Sequence, residues 1–326
     1  MHISVSLSSI RAMDTLLAAL RAVAEPTRLR LLSLCAEGEF TVSELTQIVG
    51  QSQPRVSRHL KQLSDAGLLQ RLPEGSWVFY RLAGETPAGQ LARHIVGQLP
   101  GSGTTLEQDR ERLAAVRRAR AAAAQGYFNA NAGRWDEIRS MQVDDGLVEG
   151  RLLSMLPPDG LSALLDVGTG TGRILELYGE RGVAGVGVDL SHEMLSVARA
   201  NLSRSGLANV YVRHADMYRL PWPAPAFDAV TFHQVLHFAD DPVAVMREVA
   251  RVLRPGGRLL LVDFAPHREE SLRDQHAHRR LGFATDDITN WCAAAGLGAR
   301  EAVRLHGAPL TVVIWDCFLP LQSVTA

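Results

Sequence analysis

The chain has 326 residues, 46% of them hydrophobic, and a formal net charge of −1. That length holds more than one average domain and fewer than three, with enough apolar residues for a core at each end. Near-neutrality excludes a polyelectrolyte, so any nucleic-acid binding has to come from a local patch. Lys61 is the only lysine beside many arginines, a bias that a GC-rich genome explains without function. Cys35, Cys292 and Cys317 are far apart in sequence and fit no CxxC metal or redox pattern, so a reducing compartment is expected. The opening "MHISVSLSSIRAMDTLL" lacks the apolar core and cleavage site of a signal peptide, and no apolar run is long enough to span a bilayer. These features predict a soluble, cytoplasmic protein.

Residues 10–98 read as short helices followed by one hairpin. In "EPTRLRLLSLCAEG" Pro26 suits a first helical turn, and the segment stops at Gly38. "TVSELTQIVG" opens with a capping box, Thr41 and Glu44, and stops at Gly50. "QSQPRVSRHLKQLSDAGLL" then places Val56, Leu60 and Leu63 on one helix face, leaving Gln53, Arg55, Ser57, Arg58, His59 and Lys61 as the polar set. Such side chains read base edges in the major groove or hold phosphates. "LLQRLPEGSWVFYRLA" is a hairpin with Gly75 in its turn, and Arg71 and Arg81 in its arms are placed for phosphate contact. The order of helices, polar helix and wing predicts a DNA-binding winged helix-turn-helix.

The stretch "AEPTRLRLLSLCAEGEFTVSELTQIVGQSQPRVSRHLKQLSDAGLLQRLPEGSWVFYRL" resembles the ArsR-type bacterial regulators. The resemblance implies a homodimer formed through the first helix and the helix near 86–98. It also implies binding to an imperfect inverted repeat in double-stranded DNA, and repression. Metal-sensing members carry a cysteine pair before the recognition helix, where this chain reads "EFTVSEL". Others use ligands on the last helix, where this chain offers only His94 and Glu85. Metal sensing is therefore not expected in this block, no metal site is predicted, and the effector has to be read elsewhere.

Residues 99–149 form a connector. Pro100, Gly101 and Gly103 interrupt helix, and "LEQDRERLAAVRRARAAAAQ" has helical propensity. Its acidic residues Glu107, Asp109 and Glu111 predict a solvated linker face rather than a basic patch. In "GYFNANAGRWDEIRS", Tyr127, Phe128 and Trp135 suit either a lid over a cofactor or packing of the connector onto the next domain.

Residues 150–320 alternate apolar strands with amphipathic helices, the pattern of a parallel sheet with crossover helices. "ALLDVGTGTGRILEL" places Gly168, Gly170 and Gly172 between a strand and a helix N-terminus, which lets backbone approach a ligand closely. Arg173-Ile174 is not the Gly-Lys-Ser/Thr ending of a Walker loop, and the spacing is GxGxG rather than the GxGxxG of a dinucleotide loop. Asp166 beside the loop would repel a pyrophosphate and attract an α-ammonium group. That favours a zwitterionic sulfonium ligand, S-adenosylmethionine, or its product S-adenosylhomocysteine. Asp189, at the end of "GVGVDLS", suits the ribose hydroxyls, and Met194 is placed to flank the adenine. Asp216 and Met217 end a third strand, positioned for the adenine amino group and ring. A loop with His233, Gln234 and His237 follows, then a Pro255-Gly256-Gly257 turn and a fifth strand.

This ordered set resembles the class I S-adenosylmethionine-dependent methyltransferases, close to their small-molecule branch. The resemblance implies a doubly wound sheet with an antiparallel last strand, the final hairpin being "AREAVRLHGAPLTVVIWDCF". The expected fold is an α+β winged helix-turn-helix N-terminal domain ahead of an α/β doubly wound, Rossmann-like C-terminal domain. Methyl transfer is an in-line displacement that needs positioning and sometimes a base. His233 or His237 is the candidate base, and His233 also borders the cofactor. In "DQHAHRRLGF", His276 and His278 do not share a helix face, so zinc is not expected. The segment reads as solvated surface, with a substrate-facing or interdomain cluster as the alternative. Arsenite methylation needs clustered thiols, which three scattered cysteines do not predict. Three functions remain: a regulator that senses the cofactor, a working small-molecule methyltransferase that controls its own gene, and an enzyme whose first block only dimerises.

Overall fold

The first amides and last carbonyls of a helix lack partners within it, and in the first domain capping side chains meet several of the amides. The computed structural model describes residues 7–74, 77–83, 86–100, 104–132, 145–307 and 309–321. Its first elements are α1 (Leu7–Val23), α2 (Pro26–Ala36), β1 (Phe40–Thr41), α3 (Val42–Val49) and α4 (Gln53–Asp65). The wing strands β2 (Leu69–Glu74) and β3 (Trp77–Leu82) follow, then α5 (Pro87–Gly97) and α6 (Thr104–Asn131). Glu25 caps α2 by accepting from the Arg28 amide at 2.8 Å. The capping box forms as expected: Thr41 N donates to Glu44 Oε2 at 2.8 Å, and Glu44 N to Thr41 Oγ1 at 3.3 Å. Gly50 ends α3 at φ +67°, a conformation open to glycine, and so sets the turn into α4.

The wing pairs β2 with β3, and β1 adds to the far side of β3 in the order β1-β3-β2. Leu31, Leu32, Leu45, Ile48, Val56, Leu60 and Leu63 fill one core between the helices. Leu113 and Val116 of α6 join that core, and the first compact unit runs to residue 121. The sequence expectation ended this domain at residue 98 and solvated Asp109. The structure instead buries Asp109 to 2% exposure because Arg30 meets it across the fold.

The second unit, residues 122–326, begins within α6 and carries α7 (Asp145–Met155), β4 (Leu164–Val167), α8 (Arg173–Gly179), β5 (Gly185–Asp189) and α9 (His192–Arg204). There follow β6 (Val210–His214), β7 (Phe227–His233), a 3₁₀ turn (Leu236–Phe238), α10 (Pro242–Val252) and β8 (Leu253–Phe264). The last elements are α11 (Ser271–His276), α12 (Thr285–Ala294), β9 (Gly298–His306) and β10 (Thr311–Phe318). The seven-stranded sheet has the order β6-β5-β4-β7-β8-β10-β9. The first five strands are parallel, and β10 runs antiparallel between β8 and β9. Leu164 packs on one face with Val148, Leu152 and Tyr178, while Leu165 and Val167 pack on the other with Val230, Met246 and Trp291. Both faces of the central strands are covered, so β4, β7 and β10 are buried along nearly their whole length and read as apolar runs. Pro255-Gly256-Gly257 lies within β8 rather than before it; Gly256 sits at φ +80°, and pairing with β7 shifts register there. Chain order reverses between β4 and β7. Such a switch point opens a crevice at the carboxyl ends of the strands.

Candidate functional site

The first candidate surface is the outer face of α4. Val56, His59, Leu60 and Leu63 form its buried stripe, spaced by three and four residues. Gln53, Arg55, Arg58 and Lys61 are exposed and Ser57 half-exposed. His59 is the correction. At position 56 + 3 it falls on the inward stripe, 9% exposed, with Nδ1 3.8 Å from Glu25 Oε2. Burial holds its imidazole below the ordinary histidine range, although Glu25 pulls the other way. His59 therefore belongs to the inward face of α4, beside the Glu25 cap of α2, rather than to its exposed polar face. On the wing Arg71 is exposed. Arg81 donates to Glu39 Oε1 at 2.9 Å and to Gln70 Oε1 at 3.0 Å, so its charge is offset within the fold. Helix α1 carries Met13, Leu16, Leu17 and Leu20 exposed while Ala19 and Val23 face the core. Gly75, Glu85, Trp135 and the side chains of Tyr127 and Phe128 lie outside the described residues.

The second candidate site sits at the switch point. The Gly168 and Thr169 amides both donate to Val188 O, at 2.8 and 2.9 Å, which pins the glycine loop over the end of β5. Gly168 is at φ +69°, and a Cβ there would collide with the Val235 side chain, so the loop is a cradle that only glycine leaves open. Gly170 and Gly172 also take positive φ, and Gly172 is the N-cap of α8. Asp189 accepts from the Gly170 amide at 3.0 Å and the Ser191 amide at 2.8 Å, one on each oxygen. Burial raises its pKa, and these amides oppose the shift. Asp166 is 1% exposed and accepts from Thr231 Oγ1 at 2.8 Å on the neighbouring strand. Asp216 is half-buried and accepts from the Tyr218 amide at 3.0 Å; Met217 is half-buried beside it. Met194, expected to flank the adenine, is only 1% exposed and lies on the inward face of α9 with Leu195 and Ala198.

The end of β7 and the loop after it hold the two candidate bases. His233 is half-buried at the strand end. Gln234 follows at φ +56°, 6% exposed, a strained conformation of the kind that clusters at ligand sites. His237 is 1% exposed, and its Nδ1 lies 2.8 Å from Asp263 Oδ1. Asp263 Oδ2 also accepts the His237 amide at 3.2 Å. An ionised Asp263 fixes Nδ1 as the donor and leaves Nε2 as the acceptor. His278 stacks on His237 at 3.9 Å and 18°. The Arg279 and Arg280 amides both donate to His237 O at 3.2 Å, and Arg279 pairs with Asp240. Arg280 is buried, its pKa pushed down to about 10 by desolvation. "DQHAHRRLGF" is thus largely not solvated surface: Asp274 and Gln275 are exposed, but His278 and Arg280 are buried, as is Arg273 just before them, and the Arg279 and Arg280 amides hold the segment to the 3₁₀ turn.

Sequence reasoning did not single out Asp263, which reads as an ordinary strand-end residue. It also missed Tyr218, whose hydroxyl oxygen accepts from the Asp240 and Asp241 amides at 2.7 and 3.1 Å and ties two site loops together. Cys292 and Cys317, 25 residues apart, come together with Sγ atoms 3.5 Å apart in the core. Among the described residues no group of three or more His, Cys, Asp or Glu is placed to hold a metal ion.

The fold and loops define two domain classes, a winged helix-turn-helix and a methyltransferase-type α/β sheet. Known proteins agree. Residues 25–71 match the family model of bacterial regulatory proteins of the arsR family, and residues 165–261 match that of the methyltransferase domain. The arsenic resistance transcriptional regulator ArsR1 of Pseudomonas putida is 48% identical over 68 residues, 21% of this chain and 53% of that protein. The 27-O-demethylrifamycin SV methyltransferase of Amycolatopsis mediterranei is 34% identical over 139 residues, 42% of this chain and 51% of that protein. The chain thus spans about half the length of these two curated relatives. One chain of the Haloferax volcanii complex holding the Trm112 methyltransferase activator superposes with a TM-score of 0.52 at 19% identity, covering 59% of this chain and 97% of that one. This protein joins an ArsR-type winged helix-turn-helix domain to a class I, S-adenosylmethionine-dependent type of methyltransferase domain.

Proposed function

We propose that this protein is a transcriptional regulator, a repressor, that binds an inverted-repeat DNA operator as a homodimer and reads S-adenosylmethionine or S-adenosylhomocysteine through its second domain. The observation that carries the reading is that both sites are built in one chain. Helix α4 leaves Gln53, Arg55, Arg58 and Lys61 exposed, and the Gly168 cradle with amide-held Asp189 fits a nucleoside bearing a ribose diol. Arg71 would add a phosphate contact from the wing. The apolar face Met13, Leu16, Leu17 and Leu20 of α1 is the dimer surface of this reading. For the ligand to act as effector, it must bind the DNA-competent and DNA-incompetent states with different affinity. DNA as a partner puts this work in the cytoplasm, and no helix of the described residues is long and apolar enough to cross a membrane.

The test is fluorescence anisotropy on the protein's own promoter at one salt concentration, since the phosphate contribution depends on salt. The expected result is a several-fold change in DNA affinity with either ligand. DNA binding that ignores both ligands overturns the sensor.

A second reading, a small-molecule methyltransferase whose first domain dimerises or autoregulates, is favoured by the His237–Asp263 pair. S-adenosylmethionine, when bound, supplies an electrophilic methyl group. His237 Nε2 makes no hydrogen bond among the described residues, so it is a proton acceptor held in one orientation by Asp263. His233 is the more open of the two histidines. The methyl acceptor is a small molecule in this reading. Methylated product that disappears in His237→Ala but persists in His233→Ala would assign the base.

A further inference from the structure

The first half of α6 docks on the helix-turn-helix, and two of its ties meet at the end of α3. Asp109, 2% exposed, receives Arg30 Nε and Nη2 at 2.6 Å each. The same Nη2 donates to Val49 O at 2.9 Å. Arg112 of α6 donates from Nη1 to Ile48 O at 3.2 Å. Ile48 and Val49 are the last residues of α3, and the next, Gly50, turns the chain into the recognition helix. One turn further along α6, Leu113 and Val116 enter the core, and Arg117 Nη2 donates to Glu37 O at 2.6 Å.

A spacer needs none of this. Burying a carboxylate is costly unless a partner and further hydrogen bonds meet it. Here the partner is Arg30, which also caps a C-terminal carbonyl of α3. The helix itself continues to Asn131, past the end of the first compact unit at residue 121. Helix formation is cooperative along the chain, so ordering one half biases the other.

We propose that residues 104–117 form a strap that carries the ligand state of the second domain to the α3–α4 turn, with the Arg30–Asp109 pair as its fastening. This rests on the sensor reading above. Ligand acts through the strap by changing the free energy of keeping it helical and docked, and the turn follows because Arg30 and Arg112 hold its two carbonyls.

The experiment uses the full chain, its own promoter duplex and S-adenosylhomocysteine as the probe. Calorimetry gives the ligand affinity without DNA. Anisotropy gives DNA affinity with and without saturating ligand, and the ratio of the two is the readout. The parent chain is expected to give a ratio of about fivefold or more. Asp109→Asn keeps ligand affinity within about twofold and brings the ratio below about twofold, because the coupling and not the binding is cut. Arg112→Gln removes the Ile48 tie alone and gives an intermediate ratio; it decides the matter should Asp109→Asn fail to fold. An unchanged ratio in these variants overturns the strap and leaves the sensor standing. A parent chain that binds no ligand, or whose ratio is one, overturns both, and that failure is visible before any variant is made.

Discussion

At the scale of single residues, Gly168 and Asp189 would carry the ligand half of the proposed function for different reasons. Gly168 is needed for space and conformation together: φ is +69° and Val235 occupies the place of a Cβ. Gly168→Ala should weaken S-adenosylhomocysteine binding by about tenfold or more and cost about 1–3 kcal/mol of second-domain stability, read by calorimetry and urea unfolding. Asp189 takes one backbone amide on each oxygen, and an asparagine has only one oxygen to offer. Asp189→Asn sets an NH₂ against the Gly170 or Ser191 amide, and a drop in ligand affinity of about tenfold or more is expected from the same titration. Both residues were legible in sequence, because a glycine loop and a strand-end acid are local patterns. Met194 was not, since its inward turn depends on how α9 rolls against the sheet.

At the scale of elements, α4 separates two roles that its sequence leaves mixed. Arg58 is exposed and His59 is inward. Arg58→Ala should weaken operator binding and lower the salt slope by about one, measured by anisotropy over a salt series. His59→Ala should instead cost about 1–3 kcal/mol of first-domain stability, and the folded fraction should keep its salt slope. A His59→Ala protein of full stability that no longer binds DNA would reverse this assignment. The capping box, Gly50 and the wing hairpin could be read in advance because caps and turns are set by neighbours in sequence. The fate of α6 could not. Its composition is that of a solvated helix, and contacts distant in sequence, Arg30 with Asp109 79 residues apart and Leu113 and Val116 in the core, make it part of the first domain.

At the scale of the whole molecule, pH reports on the closed histidine segment of the second domain. Burial pushes His267 from 6.5 down to about 4, and His278 lies well below the ordinary range for the same reason. The unfolded chain therefore binds more protons than the folded one between about pH 4 and 6.5. Their stabilisation is full above the unfolded value and is lost as pH falls through that window, with a slope of at most about 1.4 kcal/mol per pH unit for each proton. Urea unfolding followed from about pH 7 to 5 should show the second domain weakening, and His267→Gln should flatten the slope. A second prediction concerns assembly: Leu16→Glu with Leu20→Glu puts charge on the exposed face of α1 and should shift sedimentation from dimer to monomer. The sequence alone determined the two domain types, their order, the glycine loop, the strand-end acids and the polar face of the recognition helix. All of these follow from period, spacing and turn chemistry over a few tens of residues. Tertiary structure alone decided that His59 and Met194 face inward, that Asp263 orients His237, that "DQHAHRRLGF" closes over the 3₁₀ turn, and that α6 docks on α3. Each depends on residues distant in sequence meeting in a core, where burial and a partner's charge outweigh what a polar side chain would choose in water.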